Sequence, residues 1–593
     1  MLRLLKVFLE KYFQKYSKIK FFFLAVLLGL PSVWTGMSAD DYVIRSIVLQ
    51  KSSLAKDVGT PLDTFAFIPS PEHVARGIEK GVYPWWTAPD ARLAFWRPLS
   101  AATHWLDFHA FPNAFWLMHL ENLLCYALLG VLCLAAYRRF MTPAWAASLA
   151  AFLYICDEAH GMSVGWLAAR NALTAPVFAM GMFLCHVQSR ERNSLMWHLS
   201  ACLLLVLALL SGESAVSIGG YLFAYACFLD PNRKLVRFFA LFPYAAIVVV
   251  WRIIYVRMGY AVNGTGLYID PGKDTAHFLY AVLQRLPALL LGQLAIPNSG
   301  TVTMLPETWV PLYVLGALIF LGWVAYMLFP LWRTDRVSKF FALGMVLSAV
   351  PSCATLPNDR LLFFAGFGGM GLVARYLVYY WERIENQEPS VHSPRTSERF
   401  LASIWTFLHG YAAPVLLPVA CLIPLFMGKP IELAAKSFPQ NGAKSVIIAN
   451  VPVDLMLAYV PMMLEAKGRE YPPRTLLLTA GLTEVEFSRE DEKSLIAHIR
   501  GGLFPAPWTR SFRDITRPFH EGERINVNDV QVEILGVSND GRPERIRFTF
   551  PENIEDLPAS WVTWSVKGFV PFDLPKVGDT VSIKKLPLFW WMN

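Results

Sequence analysis

The sequence predicts a polytopic α-helical membrane protein of about eleven spans that carries a soluble α+β domain at its C-terminal end. Three observations lead there. Of 593 residues, 55% are hydrophobic and 17% charged, and the mean hydropathy is +0.39, too apolar for a soluble globule of this size. The apolar residues are gathered into runs of roughly 20, the length a spanning helix needs. Beyond residue 428 the pattern changes to short alternating segments and polar turns.

The first twenty residues, MLRLLKVFLEKYFQKYSKIK, hold Arg3, Lys6, Lys11, Lys15, Lys18 and Lys20, so the N-terminus is expected in the cytoplasm. A cleaved leader is disfavoured, because no small-x-small site precedes Asp40. Spans are expected near residues 20–37, 115–137, 143–157, 172–188, 197–212, 214–229, 236–256, 308–331, 340–356, 361–381 and 402–427. Odd spans then run outward. The loops left inside hold Arg138 and Arg139, Arg190 and Arg192, Arg233, Lys234 and Arg237, then Arg333, Arg336 and Lys339, each short and basic as the rule requires. The net charge of +8 therefore reports topology, and no basic face suited to nucleic acid is left over.

The segment FLYAVLQRLPALLLGQLAI (278–296) is expected as an interfacial or re-entrant helix on the outer side, with Arg285 and Gln293 toward water, because counting it as a span would invert the basic 333–339 loop. The membrane domain is expected over 1–427 with a large outer loop, 38–114, whose tryptophans would lie in an interfacial belt. ENQEPSVHSPRTSER reads as a flexible cytoplasmic linker. In the tail (428–593), KSVIIAN reads as a buried strand and VQVEILGVSNDGRPERIRFTF as a β-hairpin turning at Asn539-Asp540-Gly541. SREDEKSLIAHI reads as a helix with Ser488 as its N-cap. All eight cysteines fall in apolar segments, which excludes a disulfide framework or a cysteine metal cluster.

Ionisable residues near hydrocarbon are costly and usually serve a purpose. Asp40 and Asp41 follow the first span, Asp157, Glu158, His160 and Arg170 follow the third, Glu213 sits in the turn between spans five and six, and Asp359 and Arg360 open span ten. All are expected at one water–membrane boundary. His119 and Asn122 share one turn of the second span and are expected to bond between helices. Carboxylates and arginines so placed suit transfer from a lipid-anchored phosphosugar: a carboxylate deprotonates an acceptor hydroxyl, while arginine, or a divalent cation held by paired carboxylates, neutralises the departing phosphate.

ADDYVIR after the first span, FWRPLSAATHWLDF followed by HLENLLCYALLG, HGMSVGWLAAR, LLSGESAV and LPNDRLLFFAGFG, in that order over residues 20–380, resemble the membrane half of the GT-C glycosyltransferases. They are most similar to the protein O-mannosyltransferase-like branch, including transmembrane mannosyltransferases with tetratricopeptide repeats. The resemblance implies an inverting transferase that takes sugar from a polyprenyl-phosphate donor on the non-cytoplasmic face, with Asp40 or Asp41 as catalytic base. It implies that Arg97, His160, Arg170, Glu213 and Arg360 bind substrate or phosphate, and that Asp157 and Glu158 hold a divalent cation, Mg or Mn, where one is used. A bacterial inner membrane location is expected, with the tail periplasmic as the span count places it; because no tetratricopeptide repeats follow, the resemblance does not carry over the acceptor, which is left open among a glycan, a lipid and a protein. Two departures stand out: Met162 occupies the position of the family's second-loop glutamate, and the family's SKE is SGE here. The rival readings are a lipid-linked glycan polymerase or ligase, and a transporter or flippase; transporters place such acids at the midplane of spans and show inverted repeats, neither of which is seen.

Overall fold

The computed structural model describes residues 2–13, 17–385, 396–439 and 444–587. The chain divides into two compact units, one of 1–38, 96–259 and 271–425, the other of 39–95, 260–270 and 426–593. The outer segment 39–95, expected as a loop of the membrane domain, is thus grouped with the tail. Most of the expected linker, 386–395, lies outside the described residues.

The first unit is helical, and every expected span is found as helix. Among the described residues seven stretches are long and apolar enough to cross a membrane: Ser17–Trp34, Phe115–Phe140, Leu167–Arg192, Lys234–Arg257, Glu307–Thr334, Arg336–Ala354 and Thr396–Ser437. The other four expected spans are the helices Ala144–Ile155, Leu195–Ser211, Ile218–Phe228 and Phe363–Glu385. Large apolar side chains such as Leu312, Leu315 and Ile319 face outward along one helix, as a lipid-facing surface requires. The chain is an integral membrane protein.

Two spans depart from the expected simple helix. Lys234–Arg257 breaks after Phe239 into Lys234–Phe239 and Phe242–Arg257, and the last span carries a π-helical turn at Leu408–Ala412. Arginine–acid pairs tie the basic loops, Arg190 to Asp230, Arg375 to Asp335 and Arg383 to Glu398. His119 and Asn122 bond between elements as expected, His119 to Thr35 and Asn122 to the carbonyl of Trp166.

The Phe363–Glu385 helix is almost wholly buried over its first four turns. Its glycines allow this: a Cβ on Gly368 would lie 2.6 Å from Tyr221 Oη and from the Phe341 carbonyl, and one on Gly371 2.7 Å from the Phe341 ring. Small residues at such contacts let helix backbones approach where lipid supplies no hydrophobic drive. Tyr137, Tyr154 and Tyr221 each donate to carbonyls of this helix, satisfying buried hydroxyls.

Helix Thr275–Leu294 covers the segment expected at the interface, but Gln293 does not face water as expected, while Arg285 is half-buried. Gln293 is buried and bonds Asp157, and Arg285 donates to the Cys353 carbonyl. The amide has a partner inside the unit, so the helix turns Gln293 inward.

The second unit holds thirteen strands among the described residues: β1 (Ala66–Ile68), β2 (Arg92–Ala94), β3 (Ala261–Asn263), β4 (Ser445–Val451), β5 (Arg474–Ala480), β6 (Val485–Ser488), β7 (Ser494–Ile499), β8 (Arg524–Val527), β9 (Val530–Val537), β10 (Pro543–Thr549), β11 (Ala559–Ser565), β12 (Gly568–Pro571) and β13 (Thr580–Ile583). They form sheets ordered β1-β2-β3, β12-β11-β4-β5 and β13-β6-β7-β10-β9-β8. The expected strand is β4, buried between parallel β11 and β5. The expected hairpin is β9–β10, closed at Gly541, whose φ of +75° favours glycine.

The helix expected over 488–499 is instead a turn and strand β7. Ser488 ends β6; Asp491 closes an Asx turn onto the amides of Lys493 and Ser494, and β7 pairs with β6 and β10. Pairing on both edges overrode the helix propensity of the acidic run. The tryptophan belt also fails at two positions: Trp85 and Trp86 are core residues, bonded to the Leu478 carbonyl and to Asp454, whereas Trp105 is exposed.

Burial pushes the Asp454 carboxyl up to about 7, against the opposing pull of the Trp86 indole and the Leu455 amide. The folded core favours the neutral acid. Its contribution is therefore complete below the ordinary carboxylate range and is lost as pH rises through about 7. Between pH 4 and pH 8 the wild type should lose about 2–4 kcal/mol more stability than Asp454→Asn. Denaturant titrations of both proteins at the two pH values check this, and parallel losses would count against it.

Candidate functional site

The polar centre of the first unit is built on the loop between helices Ala144–Ile155 and Asn171–Arg192. Asp157 caps the short 3₁₀ turn Glu158–His160, its Oδ1 accepting from the Ala159 amide at 3.1 Å and its Oδ2 from Gln293 Nε2 at 2.8 Å. Asp359 lies close enough to act on both Asp157 and Glu158 electrostatically, and its Oδ1 accepts from Ser299 N at 2.8 Å and Ser299 Oγ at 2.6 Å. Arg360 places its guanidinium 5.6 Å from the centroid of the Trp166 ring.

The acids differ in how they are satisfied. Asp157 and Asp359 are held by protein donors, whereas Glu158 Oε2 is buried with no hydrogen-bond partner among the described residues. Burial raises all three carboxyls above their ordinary range; the neighbouring acids add to this at Asp157 and Glu158, and Gln293 and Ser299 oppose it at Asp157 and Asp359.

His160 is fully buried, with its ring parallel to Phe363 at 4.3 Å between centroids. Burial lowers it to about 3, so it is neutral at physiological pH. Its Nδ1 lies 3.4 Å from Tyr126 Oη, and Nε2 has no partner among the described residues. A Cβ on Gly366 would sit 3.1 Å from Gln293 Oε1, 3.5 Å from His160 Nε2 and 3.6 Å from Asp157 Oδ2, so the glycine leaves room where these three atoms converge.

Arg170 belongs to a second network. It is 1% exposed; Nη1 lies 2.5 Å from Asp107 Oδ2 and 3.2 Å from Glu121 Oε2, while Nε donates to Asn122 Oδ1 at 2.7 Å and Nη2 to the Met118 carbonyl at 3.0 Å. Nε and Nη2 are spent on hydrogen bonds and Nη1 on ion pairs with the two acids. Asn122 also donates to the Trp166 carbonyl, so this network braces the tryptophan beneath Arg360. A third group is the pair of Arg97 Nε and Glu213 Oε2, 2.7 Å apart.

Asp40 and Asp41 open helix Asp40–Val48 of the second unit. Asp40 accepts from Tyr459 Oη at 2.6 Å and Asp41 is buried. Ala39 just before them has φ +47° and ψ −113°, a conformation costly for any residue with a Cβ.

The structure thus joins Asp157, Glu158 and His160 with Asp359 and Arg360, pairs Arg97 with Glu213, and locks Arg170 into packing. Sequence reasoning overlooked Gln293 and Ser299, which clamp two of the acids, and Asp107 and Glu121, which neutralise Arg170. The latter two stand inside stretches already singled out, FWRPLSAATHWLDF and HLENLLCYALLG; a buried arginine needing counter-charges was the available signal.

For a divalent cation the arrangement does not fit. Among the described residues no three His, Cys, Asp or Glu side chains gather as such an ion needs, and both oxygens of Asp157 are taken by donors of the protein.

No protein-family model matches the chain, and no curated protein matches it. Solved structures do. An oligosaccharyltransferase of Archaeoglobus fulgidus, tethered to an acceptor peptide containing the NVT sequon, aligns at TM-score 0.38 and 12% identity over 79% of this chain. The alignment spans 64% of that protein's length. ArnT of Cupriavidus metallidurans bound to undecaprenyl phosphate aligns at TM-score 0.34 and 12% identity, covering 77% of this chain and 89% of ArnT; its apo state gives 0.35, 13%, 77% and 88%.

Proposed function

We propose that the protein is an integral membrane glycosyltransferase that moves a sugar from a polyprenyl-phosphate donor to an acceptor hydroxyl on the extracytoplasmic side, with inversion. The observation that carries this reading is the buried cluster of Asp157, Glu158 and Asp359 beside Arg360, in a polytopic membrane protein whose five ordered motifs resemble GT-C glycosyltransferases.

In the reaction the acceptor oxygen forms a bond to the anomeric carbon as the bond from that carbon to the donor phosphate breaks. The hydroxyl proton passes to a carboxylate, and polyprenyl phosphate leaves with the electron pair. Glu158 is suited to take the proton, because one of its oxygens is buried with no donor among the described residues and burial raises its affinity for protons. Arg360, set on the Trp166 face, supplies positive charge for the leaving phosphate. Neutral His160 and Gln293 offer hydrogen bonds without adding charge. No step requires a metal.

Asp40 or Asp41 is the rival base, favoured by the strained Ala39 before the pair and by the resemblance of ADDYVIR. The test uses the full chain reconstituted in liposomes, a panel of radiolabelled undecaprenyl-phosphate hexoses and a cell-envelope extract as acceptor. Label should move from lipid to acceptor with the wild type. Failure to move from any donor, with protein that stays folded, would remove the glycosyltransferase reading.

A further inference from the structure

Two short helices of the first unit do not by themselves reach across a membrane. Leu2–Phe13 has 12 residues, about 18 Å of helix against a hydrocarbon core of about 30 Å. Its Leu5 and Leu9 are buried against the unit, while Leu4 at 70% exposure, Val7, Phe8 and Tyr12 line the opposite side together with exposed Arg3 and Lys11. Lys6 anchors the helix through Glu385 at 3.1 Å and the rings of Trp145 and Trp381. Helix Lys234–Phe239 repeats the pattern in six residues: Leu235 is 74% and Phe239 73% exposed, with Arg233 and Lys234 exposed beside them, and Arg237 bonded back to the Asn232 carbonyl.

Leu2–Phe13 precedes the span Ser17–Trp34, and Lys234–Phe239 opens the stretch Lys234–Arg257; the basic loops orient both outward, so both helices belong at the same leaflet. On that side Arg139, Arg190 and Arg383 are held within the protein, by Glu191 and Gln188, by Asp230 and by Glu398. Arg3, Lys11, Arg233 and Lys234 instead sit next to apolar side chains that need a non-aqueous partner. A helix apolar on one side, basic at its borders and too short to cross lies in the headgroup region.

We propose that Leu2–Phe13 and Lys234–Phe239 form a two-part foot that binds the anionic phospholipid surface of the cytoplasmic leaflet, apolar residues among the acyl chains and the exposed Arg3, Lys11, Arg233 and Lys234 against lipid phosphates. The foot is independent of the glycosyltransferase reading.

Native mass spectrometry of the detergent-solubilised full chain, equilibrated with equal amounts of phosphatidylglycerol and phosphatidylcholine, tests it. The wild type should retain phosphatidylglycerol about tenfold over phosphatidylcholine at low salt, and the preference should collapse in high salt. Arg3→Gln/Lys11→Gln/Arg233→Gln/Lys234→Gln should bring the ratio close to one, whereas Lys584→Gln/Lys585→Gln in the second unit should leave it unchanged. Equal retention of both lipids by the wild type, or a preference surviving high salt or the fourfold change, would overturn the proposal. So would displacement of the lipid by millimolar inorganic phosphate, which would mean a simple anion site. If the fourfold variant does not fold, the salt titration of the wild type decides.

Discussion

Arg170→Met should cost about 3–5 kcal/mol of stability, the range seen when one partner of a buried ion pair is removed. The loss comes from what remains behind. Asp107 is fully buried and would be left with no counter-charge inside the protein, and Asn122 and the Met118 carbonyl would lose their donors. Glu121 adds less, because its side chain is 39% exposed. Arg170→Lys should recover only part, since one ammonium cannot reproduce a planar fork that serves four acceptors. The combination Arg170→Met/Asp107→Asn/Glu121→Gln should be more stable than Arg170→Met alone, because it removes the stranded charge with the cation. Thermal unfolding in detergent, read as loss of monodisperse protein, checks all three. A single variant as stable as the wild type would refute the account of Arg170 as a packed, spent cation.

Glu158→Gln should lower sugar-transfer turnover by about 10²–10⁴-fold, the usual worth of a positioned general base. The amide has nearly the shape of the acid, so donor binding should persist while turnover falls, and the variant should remain folded. Asp157→Asn should cost less, because Asp157 already receives the Ala159 and Gln293 donors and one of these bonds survives in the amide. Initial rates at saturating donor separate the two, and Asp40→Asn and Asp41→Asn measured alongside identify the base. A Glu158→Gln rate within threefold of the wild type, with Asp40→Asn or Asp41→Asn inactive, would move the base to the acidic pair.

Much of the fold could be read from local pattern because the bilayer imposes one solution on long apolar runs, namely a helix with its backbone bonds satisfied internally. All eleven expected spans are helices for this reason. The hairpin at Asn539-Asp540-Gly541 was legible because a two-sided alternation meets a glycine the turn demands. Where partners far along the chain decide, the pattern misleads. Ser494–Ile499 has the composition of a helix, yet β6 and β10 claim both its edges. Trp85 and Trp86 look like interface residues until the tail supplies a carbonyl and Asp454 to their indoles. At the candidate site the same limit holds. Clustering of Asp157, Glu158 and His160 follows from their place in one loop, but which acid is satisfied depends on Gln293 and Ser299, more than a hundred residues later. Nothing local to Gln293 distinguishes an amide facing water from one buried against a carboxylate.

The run from Gly366 to Gly371 bears on how this protein could change over time. Carboxylates around the centre have neighbours able to assume part of their role, so charge there could be redistributed among several positions. Where a glycine hydrogen is all that fits, no such exchange is open: even one methyl must displace Tyr221 or the Phe341 carbonyl at 368, and the Phe341 ring at 371. Glycine at 368 and 371 is therefore expected to persist in distant cousins of this chain where the acids of the centre are exchanged.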